Sequence, residues 1–184
     1  MPTFPLHTVE SAPRESVQAL GFLQQAFGFV PNIAAAMAAS PVLVNSLVSL
    51  FRNVHGGSFS EGEIQIVLLT NAVTNRCEWA TAFHSTLALG QGIAPADVAA
   101  IRAGRQPDQP AHAVLSELAR TLIERRGRLD DDFVGHCLAA GLTPEKILEA
   151  IAIVAASTIT NYTASVTRPP LEPQFQQQAW TVAA

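Results

Sequence analysis

The stretch Asn75-Arg76-Cys77-Glu78-Trp79-Ala80-Thr81-Ala82-Phe83-His84, preceded by Ser60-x-x-Glu63, decides how the rest of the chain is read. A serine hydroxyl can accept from the backbone N–H three residues on while the glutamate reaches back, the reciprocal capping box of a helix start. That spacing argues against a buried strand over Ile64 to Leu69, an apolar run short enough to be one. Cys77, Ala80 and His84 follow at i, i+3 and i+7, on one face of the next helix. Cys77 is expected in the first turn, where unpaired N–H groups and the macrodipole favour a thiolate. Arg76 adds a neighbouring charge, so the thiol pKa is expected to be lowered. At ~1.5 Å rise per residue, Cys77 and His84 stand ~10 Å apart along the axis, too far for a direct hydrogen bond. His84 faces position 80 instead.

Outward from this stretch the punctuation is regular. Ser40-Pro41, Ala94-Pro95 and Thr143-Pro144 put proline where a first turn would begin, and Gly92 and Gly141 sit where the previous helix would stop. With abundant alanine and little β-branched alternation, the pattern predicts an all-α fold. Helices are expected near 14–27, 31–39, 41–54, 60–74, 76–90, 95–103, 111–126, 130–140 and 143–166. Leu43, Leu47, Leu50 and Val54, and Leu115, Leu118 and Leu122, each mark a buried stripe. Ile147, Ile151 and Val154 lie in a segment apolar on nearly all sides, the expected central helix. One domain is expected over 1–184, with an N-terminal helical extension over about 1–40 and an extended tail from about 168 to 184, where Pro169, Pro170 and Pro173 preclude a helix. Phe175 and Trp180 on that tail need a surface to cover them.

The chain has 184 residues, of which 48% are hydrophobic and 14% charged, against the ~25% charged of an average soluble chain. Such a surface is expected to be partly buried against copies of itself. A net charge of −4 offers no positive field for nucleic acid. The cluster Arg120, Arg125, Arg126 and Arg128 around Gly127 reads as a capped helix end. The longest apolar stretch, Ile147 to Thr160, is interrupted by Glu149 and falls short of the ~20 residues of a membrane span. The N-terminus lacks signal-peptide features, and a cytoplasmic location is expected. Nucleophile-elbow, phosphate-loop, dinucleotide and zincin motifs are absent. His7, His55, His84, His112 and His136 show no ligand spacing, so neither metal nor cofactor is expected.

The order and spacing of several short motifs resemble the alkylhydroperoxidase D and carboxymuconolactone decarboxylase superfamily, in particular its peroxidase-related branch. They are Gly28-Phe29-Val30-Pro31-Asn32, Ser60-x-x-Glu63, Asn75-Arg76-Cys77 with His84, Ile101-Arg102-Ala103-Gly104 and Asn161-Tyr162, spanning roughly residues 20 to 176. The resemblance implies an all-helical fold that oligomerises and a thiol site, Cys-x-x-Cys-x-x-x-His, that reduces hydroperoxides. There the second cysteine attacks the peroxide, the first resolves the sulfenic acid, and the histidine and an upstream glutamate relay protons. In this chain the attacking position is Ala80. The glutamate's position, twelve residues before the first cysteine, is Gln65, and Glu63 is the nearest acid.

Carried over residue by residue, the candidate catalytic set is Cys77, His84 and Glu63. The leading expectation is a peroxidase-related protein with thiol-dependent hydroperoxide reductase activity, weakened or lost for want of the second cysteine. A one-cysteine cycle would oxidise Cys77 to a sulfenic acid and need an external thiol reductant. A second expectation is a lyase or isomerase acting on a small carboxylated compound through His84, and a third a helical scaffold without catalysis. Each residue also has a structural reading: Cys77 as a buried inert thiol, His84 as a core histidine, Glu63 as a cap, Trp79 and Phe83 as packing, and Cys137 as a free thiol. The expected partners are further copies of the chain and a small-molecule substrate.

Overall fold

Small polar side chains and prolines start most of the helices. In the computed structural model, which describes residues 4–182, Ser40, Ser60, Gln109, Asp130 and Thr143 each accept the backbone N–H three residues on. Pro41, Pro95, Pro110 and Pro144 occupy first-turn positions, where a missing N–H costs nothing. The helices are α1 (Val17–Phe27), α2 (Asn32–Met37), α3 (Pro41–Val54), α4 (Glu61–Thr74), α5 (Glu78–Gly90), α6 (Pro95–Arg102), α7 (Pro110–Glu124), α8 (Asp131–Ala139) and α9 (Pro144–Thr167). No strand occurs among the described residues, and Ile64 to Leu69 are helical within α4. The fold is all-α, as the sequence predicts.

The centre of the bundle is α4, not α9. Every residue from Ile64 to Ala72 is buried, because α5, α6, α7 and α9 all pack around α4. The helix α9 lies against α3, α4 and α7 with part of its circumference only, and Ile151, expected in the centre, is 49% exposed. An all-round apolar composition therefore marks two different helices here, one enclosed and one with an uncovered side. By length and a mean hydropathy of 1.3 over eighteen residues, α9 could cross a membrane, contrary to the expectation that no segment reaches that length. The same helix buries Ile147, Ala150 and Ile153 in the bundle.

Two apolar clusters flank α4. One gathers Ile64, Leu69, Leu115, Leu118, Cys137 and Ile153. The other gathers Leu20, Leu23, Val44, Cys77, Phe83 and Phe175 around α1, α3 and the start of α5. Both cysteines are free and buried, and they sit in different clusters. On α3 the buried positions are Val44, Leu47, Val48 and Val54, while Leu43 and Leu50 are half-buried.

The tail is not extended throughout. A 3-10 helix over Pro173–Gln178 packs on α5. Its Phe175 is buried against the Phe83 ring at 5.0 Å, and Trp180 Nε1 donates to Arg102 O at 3.1 Å. Both aromatics are thus covered within the same chain. Glu172 ties the tail down by accepting from Trp79 Nε1 (3.0 Å) and the backbone N–H of Asn32 (2.6 Å).

Candidate functional site

The motif stretch enters its helix later than its spacing suggests. The helix α4 ends with Asn75 as its cap, and Arg76 adopts a left-handed backbone at φ 53°. Arg76 N–H donates to Val73 O and Cys77 N–H to Ala72 O, the paired bonds of a Schellman stop. Cys77 is consequently the N-cap of α5, with extended backbone, instead of a first-turn residue. It is 3% exposed. Burial pushes its thiol up from the ordinary value. The N–H groups of Ala80 and Trp79 pull the other way, and the charge of Glu78 adds to the rise. The expected lowering of the thiol pKa is thereby corrected: loss of solvent outweighs the helix N-terminus.

His84 lies two turns on, also buried. Its Nδ1 is 3.0 Å from Gln65 Oε1 on α4. With Nδ1–H donating to that oxygen, Nε2 carries the lone pair, and it has no hydrogen-bond partner among the described residues. Burial, and secondly the charge of His55, push the imidazole down to about 3, so it is neutral at physiological pH. Gln65, at the position where the resemblance places a glutamate, is thus the residue that reaches His84.

Glu63 is engaged elsewhere. It completes the capping box with Ser60 and pairs with Lys146 Nζ on α9 at 2.7 Å. Burial raises its pKa, but the bonds from Lys146 and Ser60 outweigh that and leave it lowered. Of the three candidates, the structure sets Cys77 and His84 on one helix and gives Glu63 to the α4–α9 junction.

His84 lines a cavity of about 80 Å³ between α1, α2, α3, α4, α5 and α9. Phe27, Phe51, Trp79 and Phe83 form aromatic walls, and Trp79 stacks on Phe83 with centroids 4.9 Å apart. The polar side chains on the wall are His84, Ser157 and Thr160, and none is charged. Thr160 Oγ1 donates to Ser157 O, and Asn161 Nδ2 approaches Ser157 Oγ at 3.4 Å. The α9 hydroxyls carried no motif that could have found them, since only tertiary packing brings them to α5. Cys77 lies outside this wall. It opens instead on a separate surface hollow of about 440 Å³, with Arg76, Glu78, Ser165 and Arg168 around it. Ala80 is wholly buried one turn before His84 and lines neither space.

No protein-family model matches the chain, and no curated protein matches it by sequence. Solved structures do match. A peroxidase-related protein from Ralstonia eutropha JMP134, described as an alkylhydroperoxidase AhpD core, superposes with a TM-score of 0.81 at 17% identity, covering 95% of each chain. A peroxidase-related protein from Silicibacter sp. TM1040 gives 0.76 at 16% identity, over 94% of this chain and 91% of that one. A cysteine-to-alanine variant of the debrominase Bmp8, in complex with 2,3,4-tribromopyrrole, gives 0.79 at 16% identity, over 97% and 95%. This chain therefore has the all-α AhpD-like fold.

Proposed function

We propose that this AhpD-fold protein is a small-molecule enzyme whose working group is His84, taking a proton from a small, uncharged, largely apolar substrate in an isomerase- or lyase-type reaction. The observation that carries this reading is the cavity itself, where a neutral imidazole, held at Nδ1 by Gln65 and with no partner on Nε2 among the described residues, lines an aromatic enclosure. Burial keeps the imidazole unprotonated but also weakens it as a base, so the negative charge that develops on the substrate as its proton leaves is what must raise the ring's affinity for that proton. The wall holds no lysine or arginine. A carboxylate would enter without a partner, at a cost of several kcal/mol. This turns the expected carboxylated substrate into a neutral one. That a debrominase of this fold takes a halogenated pyrrole, a small uncharged ring, is consistent with such a pocket.

A second reading, thiol-dependent hydroperoxide reduction, is supported by the hollow beside Cys77 with its two arginines. There the Cys77 thiolate would attack the distal peroxide oxygen, release an alcohol, and leave a sulfenic acid for two equivalents of external thiol to reduce. Its buried sulfur with a raised pKa makes this the slower chemistry.

One experiment separates the two. Pyrrole, an uncharged ring with one N–H donor, is titrated against tryptophan fluorescence, with benzoate as the charged comparison, and cumene hydroperoxide consumption is followed with dithiothreitol. Pyrrole is expected to bind and benzoate not to bind. His84→Phe weakens pyrrole binding about tenfold, the worth of one hydrogen bond, and Cys77→Ser leaves it unchanged. Peroxide turnover abolished by Cys77→Ser, with no pyrrole binding, would overturn the first reading in favour of the second.

A further inference from the structure

Ser157 departs from the habit of its helix. On α9, Thr158, Thr160, Thr163, Ser165 and Thr167 each donate their hydroxyl to a backbone carbonyl three or four residues back, the usual bond of a hydroxyl inside a helix. Ser157 Oγ makes no such bond among the described residues, although the side chain is only 1% exposed. Its partner is Asn161 Nδ2, one turn on, which donates to Oγ at 3.4 Å. With the amide on a lone pair of Oγ, the hydroxyl proton is left to be given elsewhere. Asn161 is equally buried, and its own Oδ1 has no partner among the described residues. Buried polar atoms short of partners are rare in a folded chain and need an explanation. The place of Ser157 supplies one: it lines the cavity from α9, and His84 lines the same cavity from α5.

We propose that Ser157 donates its hydroxyl to the carbonyl oxygen of a small uncharged ketone with a double bond one carbon beyond its acidic C–H, and that Asn161 is the positioning residue that turns this hydroxyl to the cavity. The proposal rests on His84 being the base and adds the group that stabilises what the base creates. His84 Nε2 takes a proton from the carbon beside the carbonyl. The C–H electron pair becomes a carbon–carbon double bond, and the carbonyl π pair moves onto oxygen, where the Ser157 O–H holds it. The imidazolium then returns the same proton to the far carbon of the original double bond. The carbonyl re-forms, and the double bond has moved one place into conjugation with it. No electron is gained or lost, and no co-reactant is consumed. A base held as low as about 3 needs a C–H acidified from both sides, which the carbonyl and the adjacent double bond together provide. A donor at oxygen binds the charged oxygen more strongly than the neutral one, so Ser157 favours the transition state over the bound ketone. The wall offers no cation for a carboxylate, only this hydroxyl and that of Thr160, which is already given to Ser157 O.

The test uses cyclopentanone as ligand and cyclopent-3-enone as substrate, both on the full chain. Cyclopentanone binding is followed by tryptophan fluorescence, and the carbonyl stretch of the bound ketone by infrared difference spectroscopy. The bound band is expected below its position in hexane, the mark of a hydrogen bond to oxygen. Ser157→Ala weakens cyclopentanone binding about tenfold and returns the band to the hexane position. Pyrrole binding stays unchanged in that variant, because pyrrole offers the hydroxyl no carbonyl. Asn161→Leu keeps the helical circular dichroism but loses the band shift, since the hydroxyl then turns back to Ile153 O as its neighbours do. Isomerisation of cyclopent-3-enone to cyclopent-2-enone, read in the ultraviolet, is abolished by His84→Phe and slowed roughly a hundredfold by Ser157→Ala. Cyclopentanone that does not bind, a band at the hexane position, or affinity and band indifferent to Ser157→Ala would each overturn the proposal. An Asn161 amide turned over, accepting the Ser157 proton on Oδ1, would give that unshifted band. A shift that survives Asn161→Leu would remove Asn161 as the positioning residue. Failure of the base reading looks different: a shifted band without isomerisation would dismiss His84 and the double bond while keeping Ser157 as carbonyl donor. Isomerisation with an unshifted band would keep His84 and dismiss Ser157.

Discussion

Glu63 and Gln65 stand two positions apart on α4 and do different work. Glu63 accepts from the Ser60 backbone N–H and from Lys146, closing the start of α4 against the start of α9. Gln65 faces inward and holds the His84 ring in one orientation. A carboxylate already saturated by a cap and an ammonium is poorly placed to relay protons, whereas an amide carbonyl on Nδ1 sets which nitrogen carries the lone pair. Glu63→Gln should lower unfolding stability by about 1 kcal/mol, combining a weakened capping box with a partly exposed ion pair. Urea denaturation measures that loss, and pyrrole affinity should stay as it is. An affinity drop at unchanged stability would return Glu63 to the site.

The link between α4 and α5 explains where the backbone of Cys77 sits. One residue serves both helices: its N–H completes the Schellman stop of α4, and its carbonyl accepts the Thr81 N–H at the start of α5. That fixes the backbone of Cys77, while packing among the α1, α3 and α5 side chains covers its thiol. Arg76 pays for that geometry with a left-handed backbone that glycine adopts freely. Arg76→Gly should therefore raise stability by about 0.5–1 kcal/mol, the relief of strain exceeding glycine's greater unfolded freedom. A thermal melt that moves downward instead would mean that the Arg76 side chain stabilises the link more than its backbone strains it.

For the molecule as a whole, the buried imidazole sets the response to acid. His84 has a folded pKa of about 3 against 6.5 when unfolded. The unfolded chain therefore binds the extra proton first, and stability contributed by the neutral ring is complete above pH 6.5 and falls as pH drops towards 3. The lowered carboxyl groups of Glu63 and Asp97 lose their contributions only further down, as pH falls through the carboxylate range. The interval from pH 7 to 5.5 thus separates His84 from these carboxyl groups, and there its slope reaches up to about 1.4 kcal/mol per pH unit. Unfolding free energy should fall by about 1 kcal/mol over that interval in the unmodified protein, and His84→Phe should flatten the curve. An equal slope in both would mean that His84 is already solvated in the folded state.

Local signals were enough for the helices, because caps, prolines and the Ser60-x-x-Glu63 box act within one turn, and they placed α3, α4, α7 and α9 to within a residue or two. Cys77 and His84 were legible as one helix's residues for the same reason. Their environments were not. Whether Cys77 is a first-turn residue or the N-cap depends on how the preceding helix ends, and its burial depends on which side chains pack over it. Which of Glu63 and Gln65 meets His84 depends on the rotation of α4 against α5. The two most apolar helices were indistinguishable by composition, since hydrophobicity says that a face avoids water and not which neighbour covers it. Only tertiary packing enclosed α4, left a line of apolar side chains bare on α9, and carried Ser157 and Thr160 across the chain to the His84 cavity. Burial is a property of the assembled neighbours, and no single segment encodes it.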